Sequence, residues 1–386
     1  MEAIIITFII IIITLILYIF INSFNKKEDN DDITNKKIIS EFNIIPYSFS
    51  KEPFKILKEE EHVICFLYFL NRYFISGQMN GMLSVYDAKT YSAILLIIEH
   101  CEPISSLFQL HDDTILTSSA DGTMKKIKLL LNNNNNNKKK YLVEFVFYTN
   151  KEFIFKTIQL NNCDDIISSN IAKELVLWKK NQNDDYPLYK VEKILLNNEY
   201  VRDIMQINNN IIITCGESLQ CWKTQNYELV KKLSYICKGN NSLYKISDEY
   251  TGVLLQKDGD ILLFNNNKLI ETKILSLTSF TLTCLKLLTN NIIAVGIFDN
   301  KTKKSIINQY ILNIKKNENK EDNVNELELI KLKSENIYND GDYSTFKDSN
   351  WQRINIIDEM NNKVVLGFGG QENLKYNGKL MIFKNH

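Results

Sequence analysis

From about residue 53 to the end of the chain, short apolar runs of strand length alternate with polar, turn-forming clusters. Seven successive units each close on an aromatic or apolar anchor set in such a run: Tyr86, Ile127, Trp178, Trp222, Phe264, Tyr310 and Phe383. The anchors are separated by 41, 51, 44, 42, 46 and 73 residues, close to the ~40–45 of a four-stranded propeller blade once two insertions are allowed for. This pattern predicts an all-β ring of seven four-stranded antiparallel blades. In four units a polar residue followed by Gly stands six places before the anchor: Asn80, Asp121, Asp258 and Asn377. Asn-Gly or Asp-Gly between apolar runs is a hairpin signal because both residues tolerate positive φ, so each pair predicts a tight turn ahead of the anchor strand.

The first two units share one plan. His62 leads through Ser76 and Asn80 to Tyr86, and His100 leads through Ser118 and Asp121 to Ile127. These residues resemble the WD-repeat (WD40) family over roughly residues 53–386. A blade of that family shares a buried polar network: a His before the first strand, a Ser or Thr on the second, an Asp in the following turn and a Trp on the third. The resemblance implies such a network from His62, Ser76, Asn80 and Tyr86, and a second from His100, Ser118 and Asp121, with Ile127 in the Trp position. The Trp-Asp dipeptide is absent; Tyr86-Asp87 stands nearest to it, and Trp178 and Trp222 are each followed by Lys. In the family, the N-terminal segment supplies the outer strand of the last blade. Phe54 to Glu59 occupy that position ahead of His62, and three residues follow Phe383. The resemblance therefore implies closure by residues 54–59, which would remove an open sheet edge.

The N-terminus poses a different solvent problem. Ala3 to Ile21 carries no charge and eleven Ile, and as a helix it would span ~28 Å against a ~30 Å hydrocarbon core. A cleaved signal peptide needs a basic start, a shorter apolar stretch and a small-x-small exit; this segment has Glu2 before it and Ile21-Asn-Ser-Phe after it. Residues 1–21 are accordingly read as a transmembrane signal-anchor helix and 22–52 as a polar tether. Lys26, Lys27, Lys36 and Lys37 follow the apolar run, so the positive-inside rule places the ring in the cytosol, on the endoplasmic reticulum or another endomembrane. Seven Cys, mostly within apolar strand patterns, suggest buried thiols and no disulfide framework.

Charge and candidate chemistry narrow the function. Lys plus Arg and Asp plus Glu number 46 each, which gives no global basic field and no indication of nucleic acid as a partner. Two insertions, 132–140 with its Asn run and 313–350 with a strand pattern at Leu327 to Leu332, lengthen the second and sixth units. The four His stand at 62, 100, 111 and 386 without a Cys-x-x-Cys, so no metal site is expected. Gly367-Phe-Gly-Gly370 lacks the Walker spacing, and Asp258-Gly-Asp260 lacks the remaining calcium ligands. No cofactor and no catalytic constellation are expected.

The reading that results is a membrane-anchored scaffold, not an enzyme, that binds other proteins on its cytosolic ring. Two others compete with it. One is an exchange factor for a small GTPase in the early secretory pathway, although the membrane-bound propellers of that kind are anchored at the other end. The other is a hydrolase of the diphthine methylesterase type, which would need a reactive constellation lining the channel. In WD-repeat proteins the residue before the turn Asp often points onto the narrow face, which here implies Met79, Lys257 and Tyr376 as contact residues. Tyr200 and Arg202, in the loop entering a blade, join them because aromatic and Arg side chains are enriched among interface hot spots.

Overall fold

The computed structural model describes residues 46–131, 140–149, 153–161, 163–181, 187–233, 241–256, 258–277, 280–289, 291–302, 304–315, 326–336, 351–372 and 375–384. The segment 3–21 and Lys257 lie outside the described residues. No helix among the described residues is long and apolar enough to cross a membrane.

The chain forms seven antiparallel sheets of four strands each. Blade one comprises β2 (Val63–Phe69), β3 (Tyr73–Gln78), β4 (Met82–Asp87) and β5 (Ala93–Ile98). Blade two comprises β6 (Ile104–Gln109), β7 (Ile115–Ser119), β8 (Thr123–Leu129) and β9 (Tyr141–Tyr148). Blade three has β10 (Ile154–Gln159), β11 (Ile166–Asn170), β12 (Glu174–Lys180) and β13 (Tyr189–Leu196), and blade four β14 (Val201–Asn208), β15 (Ile211–Gly216), β16 (Leu219–Lys223) and β17 (Leu229–Leu233). Blade five has β18 (Ser242–Lys245), β19 (Tyr250–Leu255), β20 (Asp260–Asn265) and β21 (Ile270–Ser276). Blade six has β22 (Thr281–Leu287), β23 (Ile292–Asp299), β24 (Lys304–Lys315) and β25 (Glu326–Asn336). Blade seven joins β26 (Trp351–Met360), β27 (Lys363–Glu372) and β28 (Lys375–Lys384) to β1 (Lys55–Glu59).

The first strands touch in sequence from β2 through β6, β10, β14, β18 and β22 to β26, and β26 touches β2. They form the inner ring. Second strands such as β3 and β11 are buried on both faces, which their apolar and small sequences, Tyr-Phe-Ile-Ser-Gly-Gln and Ile-Ile-Ser-Ser-Asn, allow. Fourth strands such as β13 and β21 are largely exposed. All seven anchors lie on third strands and are buried, so the sequence period and the blade period coincide.

Closure follows the expected route. β1 pairs antiparallel with β28, from Lys55 opposite Ile382 to Glu59 opposite Gly378. Leu57 packs with Val63, Phe74, Tyr86 and Leu380. Glu59, on the outer strand of blade seven, accepts hydrogen bonds in blade one from Ser76, from Gln78 Nε2 at 2.9 Å and from Ser84 at 2.9 Å. The seam between the two ends of the chain is thus both apolar and hydrogen-bonded.

Three expectations need correction. First, the folded ring begins before residue 53: Tyr47 and Phe49, assigned above to the tether, are fully buried in a cluster with Ile292, Met381 and Phe383 between blades six and seven. The Gln309 side chain grips the Tyr47 backbone at both N (2.8 Å) and O (2.7 Å), which satisfies groups that burial would otherwise leave unpaired. Second, the segment 313–350 is not wholly an insertion: the strand expected at Leu327 to Leu332 lies in β25, the outer strand of blade six, which pairs with β24 from Ile306 opposite Asn336 to Lys315 opposite Glu326. Third, Asn377 and Gly378 are not a turn. They sit within β28 opposite Gly370 and Gly369, and Gly378 is required there because a Cβ would lie 2.0 Å from the Glu61 carbonyl oxygen.

The other Gly pairs do turn, by a different device from the expected one. Gly81, Gly122 and Gly259 take positive φ (82°, 79° and 70°), whereas Asn80 and Asp121 do not. Their side chains instead accept from the backbone N–H two residues on, Asn80 from Met82 at 3.1 Å and Asp121 from Thr123 at 2.9 Å. This is the Asx-turn geometry.

Candidate partner-binding face

Up-and-down strand order puts three features at one end of the ring: the start of every inner strand, the turns between second and third strands, and the connections between blades. The backbone there is irregular in a repeated way. Six of the seven inner strands carry a register shift at this end, skipping Ile64, Ser105, Phe155, Arg202, Thr283 and Asn355. A β-bulge leaves one residue unpaired and re-aims its side chain. The mouth of the channel is therefore ringed by side chains released from the ladder, and nothing in their polarity pattern announced this.

Between blades three and four the released residues form an aromatic and cationic platform. The Arg202 guanidinium lies 4.1 Å from the Phe155 ring centroid and 5.5 Å from that of Tyr200. The Phe153 and Phe155 rings are 5.0 Å apart, and Lys173 Nζ stands 5.0 Å from the Tyr200 ring. Burial lowers the Arg202 pKa from its ordinary value, opposed by Tyr200 and Glu217. Beneath the platform Lys156 and Asp203 approach to 3.4 Å, and Asp203 also accepts from the Leu243 backbone N–H at 2.9 Å. Blades three, four and five are thereby tied together, and the platform rests on a fixed base.

Exposed apolar residues occur at both ends of the ring, and the most exposed of them are at this one. The three most exposed large apolar residues among the described ones, Leu196 (79%), Tyr148 (72%) and Ile98 (65%), each end the fourth strand of a blade there, and Met79 and Ile171 on adjoining turns are also exposed. Sequence reasoning found Met79, Tyr200 and Arg202 but missed Phe155, Lys173, Tyr148 and Leu196, whose signal would have been their place at strand ends. Tyr376 lies on β28, and its side chain is outside the described residues.

Of the polar groups that the resemblance joins, His100 and Asp121 meet, and the others find different partners. His100 Nδ1 lies 2.9 Å from Asp121 Oδ2, and Nε2 lies 2.8 Å from the hydroxyl of Thr117, not of Ser118. Neighbouring strand residues face opposite ways, so Ser118 turns to the next blade and meets Thr157 at 2.7 Å. Burial raises the Asp121 pKa, but hydrogen bonds from His100 and Thr123 outweigh it and hold the carboxyl below the usual range. In blade one Ser76 donates to Glu59, not to His62, while the His62 carbonyl accepts from the Met79 backbone at 3.0 Å. Burial pushes the Glu59 carboxyl up, against hydrogen bonds from Ser76, Ser84 and Tyr86. Trp178 and Trp222 donate to Ser168 (2.9 Å) and Thr214 (3.1 Å) on the second strands of their own blades.

The opposite end offers a cleft of about 570 Å³ between blades three and four, lined by polar side chains including Asp165, Lys193, Gln206 and Thr224. Among the described residues no group of His, Cys, Asp and Glu is placed to hold a metal ion.

The described residues of the chain form a seven-bladed β-propeller of four-stranded antiparallel blades. A search of solved structures aligns it with the β-propeller domain of Myceliophteria thermophila Cps50 (Swd1), at a TM-score of 0.60 and 10% identity, covering 86% of this chain and 100% of that one. At that identity the likeness concerns the fold. No family model and no curated protein sequence matches the chain.

Proposed function

We propose that this protein is a membrane-anchored propeller scaffold that holds protein partners on the mouth end of its ring. The observation that carries the reading is the coincidence, at one end, of the Phe155–Arg202–Tyr200 platform with the most exposed apolar residues, Leu196, Tyr148 and Ile98. Interfaces use such residues: aromatic and Arg anchors carry the energy, and apolar side chains are buried with them in the core of the contact. The anchoring rests on the uncharged apolar run 3–21 and the lysines that follow it, which also argue for a cytosolic ring.

Binding fits this geometry better than catalysis does. Asp121, His100 and Thr117 stand in an acid–base–hydroxyl order, but Thr117 is fully buried and His100 nearly so. A nucleophile must reach its substrate, and this hydroxyl cannot. The constellation braces a blade.

One experiment addresses both parts of the proposal. Membranes carrying the tagged full chain are washed with carbonate, solubilised and used for affinity purification, alongside the double variant Tyr200→Ala, Arg202→Ala. The chain should stay in the washed pellet and bring down partner proteins that the variant loses, since truncating central anchors costs ~2 kcal/mol or more each. Release of the chain into the carbonate supernatant would rule out integral anchoring. Equal partner recovery by the variant would rule out this face.

A further inference from the structure

Arg353 stands immediately before the buried Ile354 at the start of an inner strand, the position that Tyr200 holds before Val201 and Phe153 before Ile154. It therefore belongs to the same rim of the channel mouth, on blade seven. The residue is half-buried, and its Nε is shielded from solvent with no hydrogen-bond partner. No carboxylate forms an ion pair with it among the described residues. Burial lowers the guanidinium pKa, opposed among the described residues by the Cys284 thiol. Burial in turn pushes that thiol up to about 12, so it is neutral at pH 7 and cannot serve as a counter-ion.

A buried cationic donor without an acceptor is costly, and removing a partner from a buried pair is costlier than never having had the charge. A folded protein keeps such a group where something else supplies the acceptor. Two further cations stand on the same rim, beside Glu217: the Arg202 guanidinium is stacked on Phe155 and Tyr200, and Lys173 Nζ on Tyr200, with no ion pair to either cation among the described residues. Cations held by rings and carbonyls keep their charge available to a ligand. Arg353 also has the forked geometry that receives two oxygens of one carboxylate or phosphate.

We propose that Arg353 anchors an oxyanion, carboxylate or phosphate, carried by an extended acidic segment of the protein partner that docks on the channel mouth. This rests on the scaffold reading and adds the chemical class of the partner to it. An acidic segment supplies the acceptor that Arg353 lacks among the described residues, whereas a basic one would meet the guanidinium with like charge.

The test uses the full chain in detergent, with a fluorescent heptaglutamate peptide as probe, heptaserine as control and inorganic phosphate as competitor at constant ionic strength. Heptaglutamate should bind, heptaserine should not, and inorganic phosphate should displace the probe. Arg353→Gln should weaken heptaglutamate binding about tenfold or more, equivalent to ~1.4 kcal/mol, yet melt no lower than the parent because the deleted charge had no partner to lose. The proposal is overturned if the parent fails to bind heptaglutamate, if Arg353→Gln binds it equally well, or if the variant loses binding only because it melts well below the parent. A rise in the parent's melting temperature with inorganic phosphate that Arg353→Gln lacks, without heptaglutamate binding, would assign the site to the free anion and overturn the peptide. If Arg353→Gln binds normally while the Tyr200→Ala, Arg202→Ala variant still loses partner proteins, this inference fails and the scaffold reading stands.

Discussion

Replacing Phe49 by alanine should cost the full chain about 3–5 kcal/mol of folding stability, the range for removing a fully enclosed aromatic side chain. Phe49 is entirely buried, meets Phe383 edge to face at 5.3 Å and stacks on Tyr47 at 6.0 Å. Its own backbone N–H donates to Glu335 Oε2 at 3.0 Å, so the segment is pinned to the outer strand of blade six while its ring fills the core shared with blade seven. Few neighbours can collapse into the space, because the two blades are held apart by their own ladders. The measurement is urea unfolding of the parent and Phe49→Ala. A loss below about 1 kcal/mol, the scale of a surface substitution, would mean that residues 47–49 are not a structural strap and that the ring begins at β1.

Deleting Lys55–Glu59 should do more damage still. β28 would lose its ladder partner along five register positions, and Leu57 would leave the seam it shares with Val63, Phe74 and Leu380. Ser76, Gln78 and Ser84 would lose the Glu59 acceptor. One buried Leu contributes about 1.5–3 kcal/mol and each hydrogen bond to a charged group about 1.5–3, so the loss is on the order of the 5–15 kcal/mol that a whole domain possesses. The deletion product should melt at a much lower temperature and associate through the exposed β28 edge, since an unpaired edge recruits other strands. A monomer with unchanged melting temperature would show that the ring does not depend on this strand.

Much of this architecture was legible because its signals are local and repeated. An aromatic or apolar anchor every blade marks the third strand in all seven sheets of the described residues, and Phe54 to Glu59 stand ahead of His62 where an outer strand belongs. What stayed hidden is non-local or turns on a single residue. Tyr47 and Phe49 lie in a short segment with no period, and only blades six and seven together make them core. Thr117 and Ser118 are chemically alike and adjacent, so the choice between them rests on which way the strand faces, which a sequence pattern sets to within about one residue. Asn377-Gly378 has the letters of a turn but the role of a close approach to Glu61. The mouth platform depends on bulges, which insert a residue without changing the apolar pattern around it. Arg202 was found for its residue type, and the Phe155 ring beneath it only from the fold.

Hydrogen exchange of the full chain, free and in complex with a purified partner, asks most directly which end of the ring is the binding face. Slowed exchange on binding should centre on the inner-strand starts around Ile154 and Val201, the turn at Ile171–Lys173 and the connection from Leu196 to Tyr200, with the turns at Asn208–Ile211 and Lys223–Glu228 at the far end unchanged. Protection confined to those far-end turns, beside the polar cleft of Asp165, Gln206 and Thr224, would contradict a scaffold that works through its channel mouth.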